Sequence, residues 1–249
     1  MSIRYFAILF QTLVLALSVE AIPIYEMQWG ADGSREYVEV TSDVQLPQRG
    51  FRAYDNWRSP GFGGGNSSFR SWFRMNGHEF GDDAYMTTTG PALLTDMGYS
   101  IGNLSTTQTL QSVQLTLRIY DENRALLFTD PSFTHTPNIP PGGGVYYLSN
   151  SNFYVPFNIT LPSHVFISMQ FSNAIGVDIA DVGCALSGPV TSGHSSQFAY
   201  NFTTGETLSF DGSDQTNMKL FIDTAEVPSS SVATIFCLSA LPVACRRRR

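Results

Sequence analysis

Lysine and cysteine are scarce in this chain of 249 residues. Lys219 is the single lysine, and Cys184 is the single cysteine before residue 226. Residues 22–225 therefore cannot form an intrachain disulfide, so their fold must be stabilised by its apolar core. The full chain carries a net charge of −7. Because a surface that binds nucleic acid by charge is basic, this composition argues against a nucleic-acid partner.

Assembled motifs for catalysis and metal binding are also missing. No His-Glu-x-x-His pattern occurs, and we expect no nucleophile elbow. The four histidines, His78, His135, His164 and His194, are not spaced as metal ligands, so we expect them in loops or at strand edges. Ser195 follows His194 directly, but adjacency in sequence does not give the geometry of a catalytic triad. The chain is therefore predicted not to be an enzyme.

Short runs of alternating apolar and polar residues take the place of helical periodicity. In residues 113–120 and 165–171 every second residue is apolar, which indicates strands with one buried face. Further strands are predicted at 37–40, 51–57, 69–75, 125–129, 153–161, 198–202 and 218–222. Residues 76–108 are weakly patterned, and we expect long loops with one short strand there. The pattern predicts an all-β fold, an antiparallel β-sandwich of jelly-roll type, over residues 22–225.

The first 21 residues have the features of a secretory signal peptide. Arg4 precedes an apolar stretch from Tyr5 to Val19, and Val19-Glu20-Ala21 places short side chains where a signal peptidase reads. An uncleaved N-terminal membrane anchor is the alternative. With nine basic and 19 acidic residues, residues 22–225 carry a charge of −10.

Residues 226–249 form a distinct tail. An apolar run of 14 residues from Val232 to Cys245 precedes four consecutive arginines, Arg246, Arg247, Arg248 and Arg249. A membrane-spanning helix needs roughly 20 apolar residues, with about 17 as the lower limit, so this run is a short anchor. The arginines extend its reach by snorkelling, and positive charge at this end favours the cytoplasmic side. A disordered basic tail is the alternative.

This tail resembles the PEP-CTERM sorting signal of bacterial envelope proteins in the order of its parts, its length and its terminal arginines. It departs at the motif, where Val227, Pro228, Ser229 and Ser230 replace Val-Pro-Glu-Pro. The resemblance implies export, a transient anchor in the inner membrane, and processing by an exosortase-type enzyme at the envelope. Residues 113–202 also resemble, loosely, a sandwich ectodomain found with such tails, through the patterns at 117–121 and 166–172.

Three groups of residues are candidates for binding or chemistry. Tyr54, Trp57 and Trp72, with Phe69 and Phe73 nearby in sequence, could stack on sugar rings, although aromatic residues of sandwiches more often lie in the core.

Glu79, Asp82 and Asp83 form an acidic cluster, and a glycosidase would need two such carboxylates across a cleft. Asp211 and Asp214 lie in a turn rich in oxygen ligands and could form a weak calcium site, although a plain hairpin turn also fits. Apart from this calcium, no cofactor is expected.

The sequence thus predicts an exported protein of the cell surface or extracellular matrix, with a non-enzymatic structural or adhesive role. Its expected partners are signal peptidase, an exosortase-type enzyme and polysaccharide or other envelope components. A carbohydrate-binding module is the alternative, and a glycan-active enzyme is a third class. Exposed, coplanar aromatic rings would favour sugar binding, whereas paired carboxylates in a cleft would favour an enzyme.

Overall fold

The predicted all-β fold is confirmed by a computed structural model, in which two antiparallel-rich sheets pack face to face. The structure describes residues 23–32, 34–40, 51–55, 69–149, 153–187, 190, 192–196, 198–209 and 217–227. The predicted signal peptide and the tail beyond Val227 lie outside these residues, and so do Trp57, Asp211 and Asp214.

Sixteen strands make up the described part of the sandwich. They are β1 (Ile24–Trp29), β2 (Arg35–Val40), β3 (Phe51–Asp55), β4 (Phe69–Arg74), β5 (Glu79–Tyr85), β6 (Ala92–Asn103), β7 (Ser112–Asp121), β8 (Leu126–His135), β9 (Gly144–Ser149), β10 (Thr160–Leu161), β11 (His164–Ile175), β12 (Val182–Ser187), β13 (Phe198–Asn201), β14 (Glu206–Ser209), β15 (Asn217–Met218) and β16 (Phe221–Glu226). Two short 3-10 turns, Val155–Phe157 and Ile179–Asp181, are also present.

The strands form a ten-stranded and a six-stranded sheet. The first follows the order β15-β12-β6-β9-β1-β2, with β3 and β6 on either side of β16, β4 beside β12 and β10 beside β6. The second follows the order β14-β13-β5-β11-β7-β8. Among the described strands, β1 and β9 are the single parallel pair. The strand β5, with β11 on one side and β13 on the other, is therefore central in the six-stranded sheet.

The alternation of apolar and polar residues along β7 and β11 explains why the inner face of the six-stranded sheet is apolar. The apolar residues of β7 and β11 are buried, while residues such as Gln114, Arg118 and Gln170 are only partly buried on the outer face. Both strands lie where the sequence predicts them, and they pair over most of their length. Alternation of this kind places one face on a shared apolar core and leaves the other toward solvent.

The prediction of long loops across residues 76–108 is wrong. This stretch contains β5 and the twelve-residue β6, which forms ladders with β9, β12 and β16. Almost every residue of β6 is buried, so both of its faces are covered and its sequence cannot alternate. Its glycines have a packing role, because a Cβ at Gly98 would collide with the ring of Phe221 and one at Gly102 with the ring of Trp72.

The predicted strand over residues 153–161 is also wrong. Phe153 and Tyr154 are buried, Val155–Phe157 form a 3-10 turn, and Asn158 has a positive φ of 51° before the two-residue β10. Pro156 fixes its own φ and removes a backbone donor, so it interrupts the ladder that the apolar pattern otherwise favours. The strands β1, β9, β12 and β14 lie outside the predicted strands, and both β9 and β12 are buried along their whole length.

An ion pair closes one open edge of the sandwich. Arg35 on β2 donates both of its terminal nitrogens to the carboxylate of Asp130 on β8, and the hydroxyl of Tyr154 donates to the same carboxylate at 3.1 Å. The guanidinium also lies 4.5 Å from the ring of Phe133. Since β2 and β8 are the edge strands of different sheets, this contact joins the sheets at that edge.

We expect Asp130→Ala to lower the free energy of unfolding by about 3–5 kcal/mol, because it leaves the buried guanidinium of Arg35 without its partner. The exposed pair Arg74–Asp181 is the control, and Asp181→Ala should cost less than about 1 kcal/mol. Urea unfolding followed by circular dichroism measures both values. Equal losses for the two variants would contradict the role given to the Arg35–Asp130 pair.

Candidate functional site

Of the aromatic residues proposed for sugar stacking, the two that the structure describes, Tyr54 and Trp72, do not come together. Tyr54 is fully buried in the main core between the sheets. Trp72 lies on the opposite face of the ten-stranded sheet, beside Tyr146 and Phe221, and its ring covers the backbone at Gly102 and would collide with a Cβ there. Tyr54 therefore presents no ring face to a ligand, and it shares no surface with Trp72.

The acidic cluster at the start of β5 is divided between the two sides of the strand. On the outer side, Glu79 accepts hydrogen bonds from the hydroxyls of Tyr120 at 2.7 Å and Ser168 at 2.5 Å, and from Nη1 of Arg118 at 2.6 Å. Asp82, three residues further along the strand, instead accepts from the backbone N–H of Met218 on β15 at 2.7 Å. Glu79 and Asp82 therefore do not face each other across a cleft.

Asp82 and Asp83 lie against the segment 192–196, which joins the two sheets. Burial raises the pKa of Asp82 well above its usual value, and the neighbouring Asp83 raises it further. The hydroxyl of Ser195 lies 2.8 Å from Oδ1 of Asp83, and the N–H of Ser196 donates to the same oxygen at 2.9 Å. Ser195 thus faces carboxylates, whereas the ring of His194 packs on Tyr85, so the two neighbours in sequence do not form a nucleophile and base.

A Gly-x-Ser-x-Gly pattern does occur once, from Gly98 to Gly102. Its serine, Ser100, is fully buried in the middle of β6, and its Oγ accepts a hydrogen bond from the N–H of Ala185 at 2.8 Å. A nucleophile elbow requires a sharp turn from strand to helix and an exposed hydroxyl. This pentapeptide has neither, so its glycines serve the packing of the Phe221 and Trp72 rings.

The four histidines occupy different surroundings. His78 lies before β5 and its Nδ1 is 3.1 Å from the amide nitrogen of Asn201, while His164 and His194 both contact Tyr85. His135 ends β8 but is buried among aromatic rings, and burial lowers its pKa to about 3. Within the described ranges, no three or more His, Cys, Asp or Glu residues are arranged to hold a metal ion.

His135 should make the stability depend on pH. Its folded pKa lies below the unfolded value of about 6.5, so the unfolded chain binds the extra proton between about pH 3 and 6.5. Stability from this group is complete above about pH 6.5 and falls by about 1.4 kcal/mol per unit as the pH drops.

Because the raised pKa of Asp82 gives a slope of opposite sign, the test compares the wild-type protein with His135→Phe. Urea unfolding at several pH values from 4 to 7 should show that the variant lacks this one-proton slope. Identical slopes for the two proteins would contradict the assignment of a neutral, buried His135.

Partly exposed aromatic rings form a continuous strip across the outer face of the six-stranded sheet. We call it the aromatic strip, and it consists of His194, Tyr85, His164, Phe166, Phe202, Tyr120 and Tyr200. The ring of Tyr85 stacks between those of His164, at 3.8 Å, and His194, at 4.2 Å. The ring of Phe202 stacks on Tyr120 at 4.2 Å and lies 6.2 Å from Phe166, which joins the two halves.

Hydrogen-bonding groups border the aromatic strip. Nη1 of Arg118 donates to Glu79 and also to Oε1 of Gln170, which is 3.2 Å away. On the same sheet, the side-chain amide of Asn173 donates to Oε1 of Gln114 at 2.6 Å. Arg124 lies 4.3 Å from the ring of Tyr200. The strip combines ring edges with amide and guanidinium donors, which are the groups that binding surfaces use.

Some residues of the aromatic strip can be predicted from the sequence, and others cannot. Tyr120 and Phe166 have outward parity in strands that the sequence does predict, so their exposure is readable from the alternation. Tyr85 joins them only because β5 pairs with β11 in the register His164–Tyr85, and the sequence places no specific strand at β5 within the loops and one short strand expected over residues 76–108.

A separate cleft of about 500 Å³ lies at one end of the ten-stranded sheet. Its lining includes Phe51, the three threonines Thr87–Thr89 and the residues that end β16, Glu226 and Val227. It contains one carboxylate, Glu226, among the described residues that line it, so it does not supply a carboxylate pair either.

No family model, curated protein or solved structure matches this chain. Within the described residues, no helix is both long and apolar enough to cross a membrane. The predicted sorting motif beyond Val227, the arginines Arg246–Arg249 and the calcium candidates Asp211 and Asp214 are outside those residues.

Proposed function

We propose that this protein is an exported, non-enzymatic component of the cell surface or extracellular matrix that adheres to polysaccharide through the aromatic strip. The observation that carries the proposal is the run of seven exposed or partly exposed rings on the strands β5, β7, β11 and β13 and on the adjoining residues His194 and Phe202. Contiguous exposed apolar surface on a soluble domain generally marks an interaction site.

The form of the strip favours an extended ligand. It lies across a sheet face and crosses β13, β5, β11 and β7 along their pairing direction. Sugars present apolar C–H groups and many hydroxyls, so they suit the ring edges of the strip and the polar side chains Gln114, Gln170 and Arg118 that border it. A neutral polysaccharide would also not be repelled by the acidic body, whereas an anionic one would be.

The arrangement of the carboxylates supports binding rather than catalysis. Glu79 is held by donors from β7 and β11, and Asp82 is buried on the other side of β5. Hydrolysis of a glycosidic bond by two carboxylates would need both to reach one bond from a shared cleft.

Substitutions in the aromatic strip test the proposal. Tyr85→Ala and Tyr200→Ala remove rings at two separate places, and each should weaken binding to a neutral polysaccharide by roughly fivefold, since a ring contact is worth about 1 kcal/mol. Phe51→Ala removes an exposed ring on the other sheet and is the matched control.

Affinity electrophoresis in gels that contain neutral or acidic polysaccharides measures the binding. Retardation by a neutral polysaccharide that both strip variants lose and Phe51→Ala keeps is the expected result. Absence of binding to every polysaccharide, or equal loss in the control, would contradict the proposal.

Export and sorting form the second part of the proposal, and the two ends of the chain support it. The tail resembles a PEP-CTERM signal, and its motif begins at Val227, directly after the last residue of β16. The side chain of Val227 is 45% exposed. A processing enzyme could therefore act beyond this point without taking residues from the sheet.

We expect pulse-labelled cells to convert the full-length chain into a product that has lost residues 1–21 and part of 226–249. Replacing Arg246–Arg249 by glutamine should release the precursor from its transient anchor, because the positive charges that resist translocation are gone. Mass spectrometry of the cell fractions identifies both ends. A full-length chain that stays in the cytoplasm would refute export, and one that persists in the membrane would refute processing.

A further inference from the structure

Five oxygen atoms from four parts of the chain converge where the central strand β5 meets β3 and β15 of the other sheet. The hydroxyl of Ser195 is at their centre. It lies 2.8 Å from Oδ1 of Asp83, 2.8 Å from Oδ1 of Asn217 and 3.3 Å from Oδ1 of Asp82. A hydroxyl has a single proton to donate, so it cannot satisfy three acceptors at once.

The hydroxyl of Tyr54 is the fifth oxygen of the cluster. Tyr54 is completely buried, and its hydroxyl makes no hydrogen bond of normal geometry with any described residue. It is directed at Ser195 and lies near the carboxylates of Asp82 and Asp83. A buried polar atom without a partner is costly, and in a native protein it often marks the place of a water or an ion.

We propose that this cluster binds one divalent cation, calcium, through Asp82, Asp83, Ser195, Asn217 and Tyr54. All five donors are oxygens, which hard cations such as calcium select, and water would complete a shell of six to eight. A cation bound among these five oxygens would interact with a lone pair of each one. The three acceptors around Ser195 would then no longer depend on its single proton. Two carboxylates balance its charge.

The site would hold the two sheets together. Tyr54 and Asn217 belong to the ten-stranded sheet, and Asp82 and Asp83 belong to the six-stranded sheet. The segment that carries Ser195 already bridges them, through backbone hydrogen bonds of Ser192 with Asp55 and of His194 with Tyr85. The cation would therefore stabilise the fold on which the aromatic strip is built, whatever ligand the strip recognises.

The proposed site is distinct from the calcium candidate that the sequence analysis names. Asp211 and Asp214 precede Asn217 by a few residues in sequence. A test must separate the two groups of residues, because both would respond to added calcium.

Titration of the purified, EDTA-treated protein with calcium chloride provides the test, by calorimetry and by thermal unfolding. The wild-type protein should bind one ion per chain and gain roughly 5–10 °C in melting temperature at a hundredfold excess over Kd. Asp82→Asn retains the shape of the side chain, so it should fold, and it should lose at least tenfold in calcium affinity. Tyr54→Phe provides a second, conservative variant with a smaller loss.

The double variant Asp211→Asn, Asp214→Asn is the control and should bind as the wild type does. The proposal is overturned if the wild type shows neither heat nor a melting shift, or if Asp82→Asn and Tyr54→Phe both bind calcium normally. It is also overturned if the control variant alone loses binding, since the ion would then be held by the Asp211–Asp214 segment.

Discussion

Buried polar contacts join the two sheets of the sandwich at two separate places. At one edge Arg35 and Asp130 join β2 to β8, and elsewhere Asp82 of the central strand β5 accepts from the N–H of Met218 on β15. Two stacked sheets bury their inner faces well but leave the flanks of the core open to water. The Arg35–Asp130 and Asp82–Met218 contacts each join a strand of one sheet to a strand of the other.

The central strand β5 connects this fold to its proposed function. Its inward side contributes Asp82 to the contact with β15, whereas its outward side contributes Glu79 to a hydrogen-bonded network and Tyr85 to the aromatic strip. Because side chains alternate along a strand, one short segment can serve both the core and the surface. The strip is thus carried by the most buried part of the sheet, which keeps its rings in a fixed arrangement.

The sequence predicts the strands that have one solvent-facing side and fails for those that have none. Alternation in β7 and β11 identifies their buried residues correctly, because the two sides of these strands differ in polarity. The strands β6, β9 and β12 are covered on both sides, so they show no period, and the glycines of β6 resemble loop residues although they receive aromatic rings. For the same reason, only part of the aromatic strip can be predicted from the sequence. The outward parity of Tyr120 and Phe166 is visible, but the pairing that adds Tyr85 is not.

The most direct measurement is a titration of the isotopically labelled protein with a soluble neutral oligosaccharide, followed by nuclear magnetic resonance. The account predicts chemical-shift changes confined to the outward residues of β5, β7, β11 and β13, with the largest at Tyr85, Tyr120 and Tyr200. Changes confined to the cleft at Thr87–Thr89, or no changes at a saturating concentration, would contradict it.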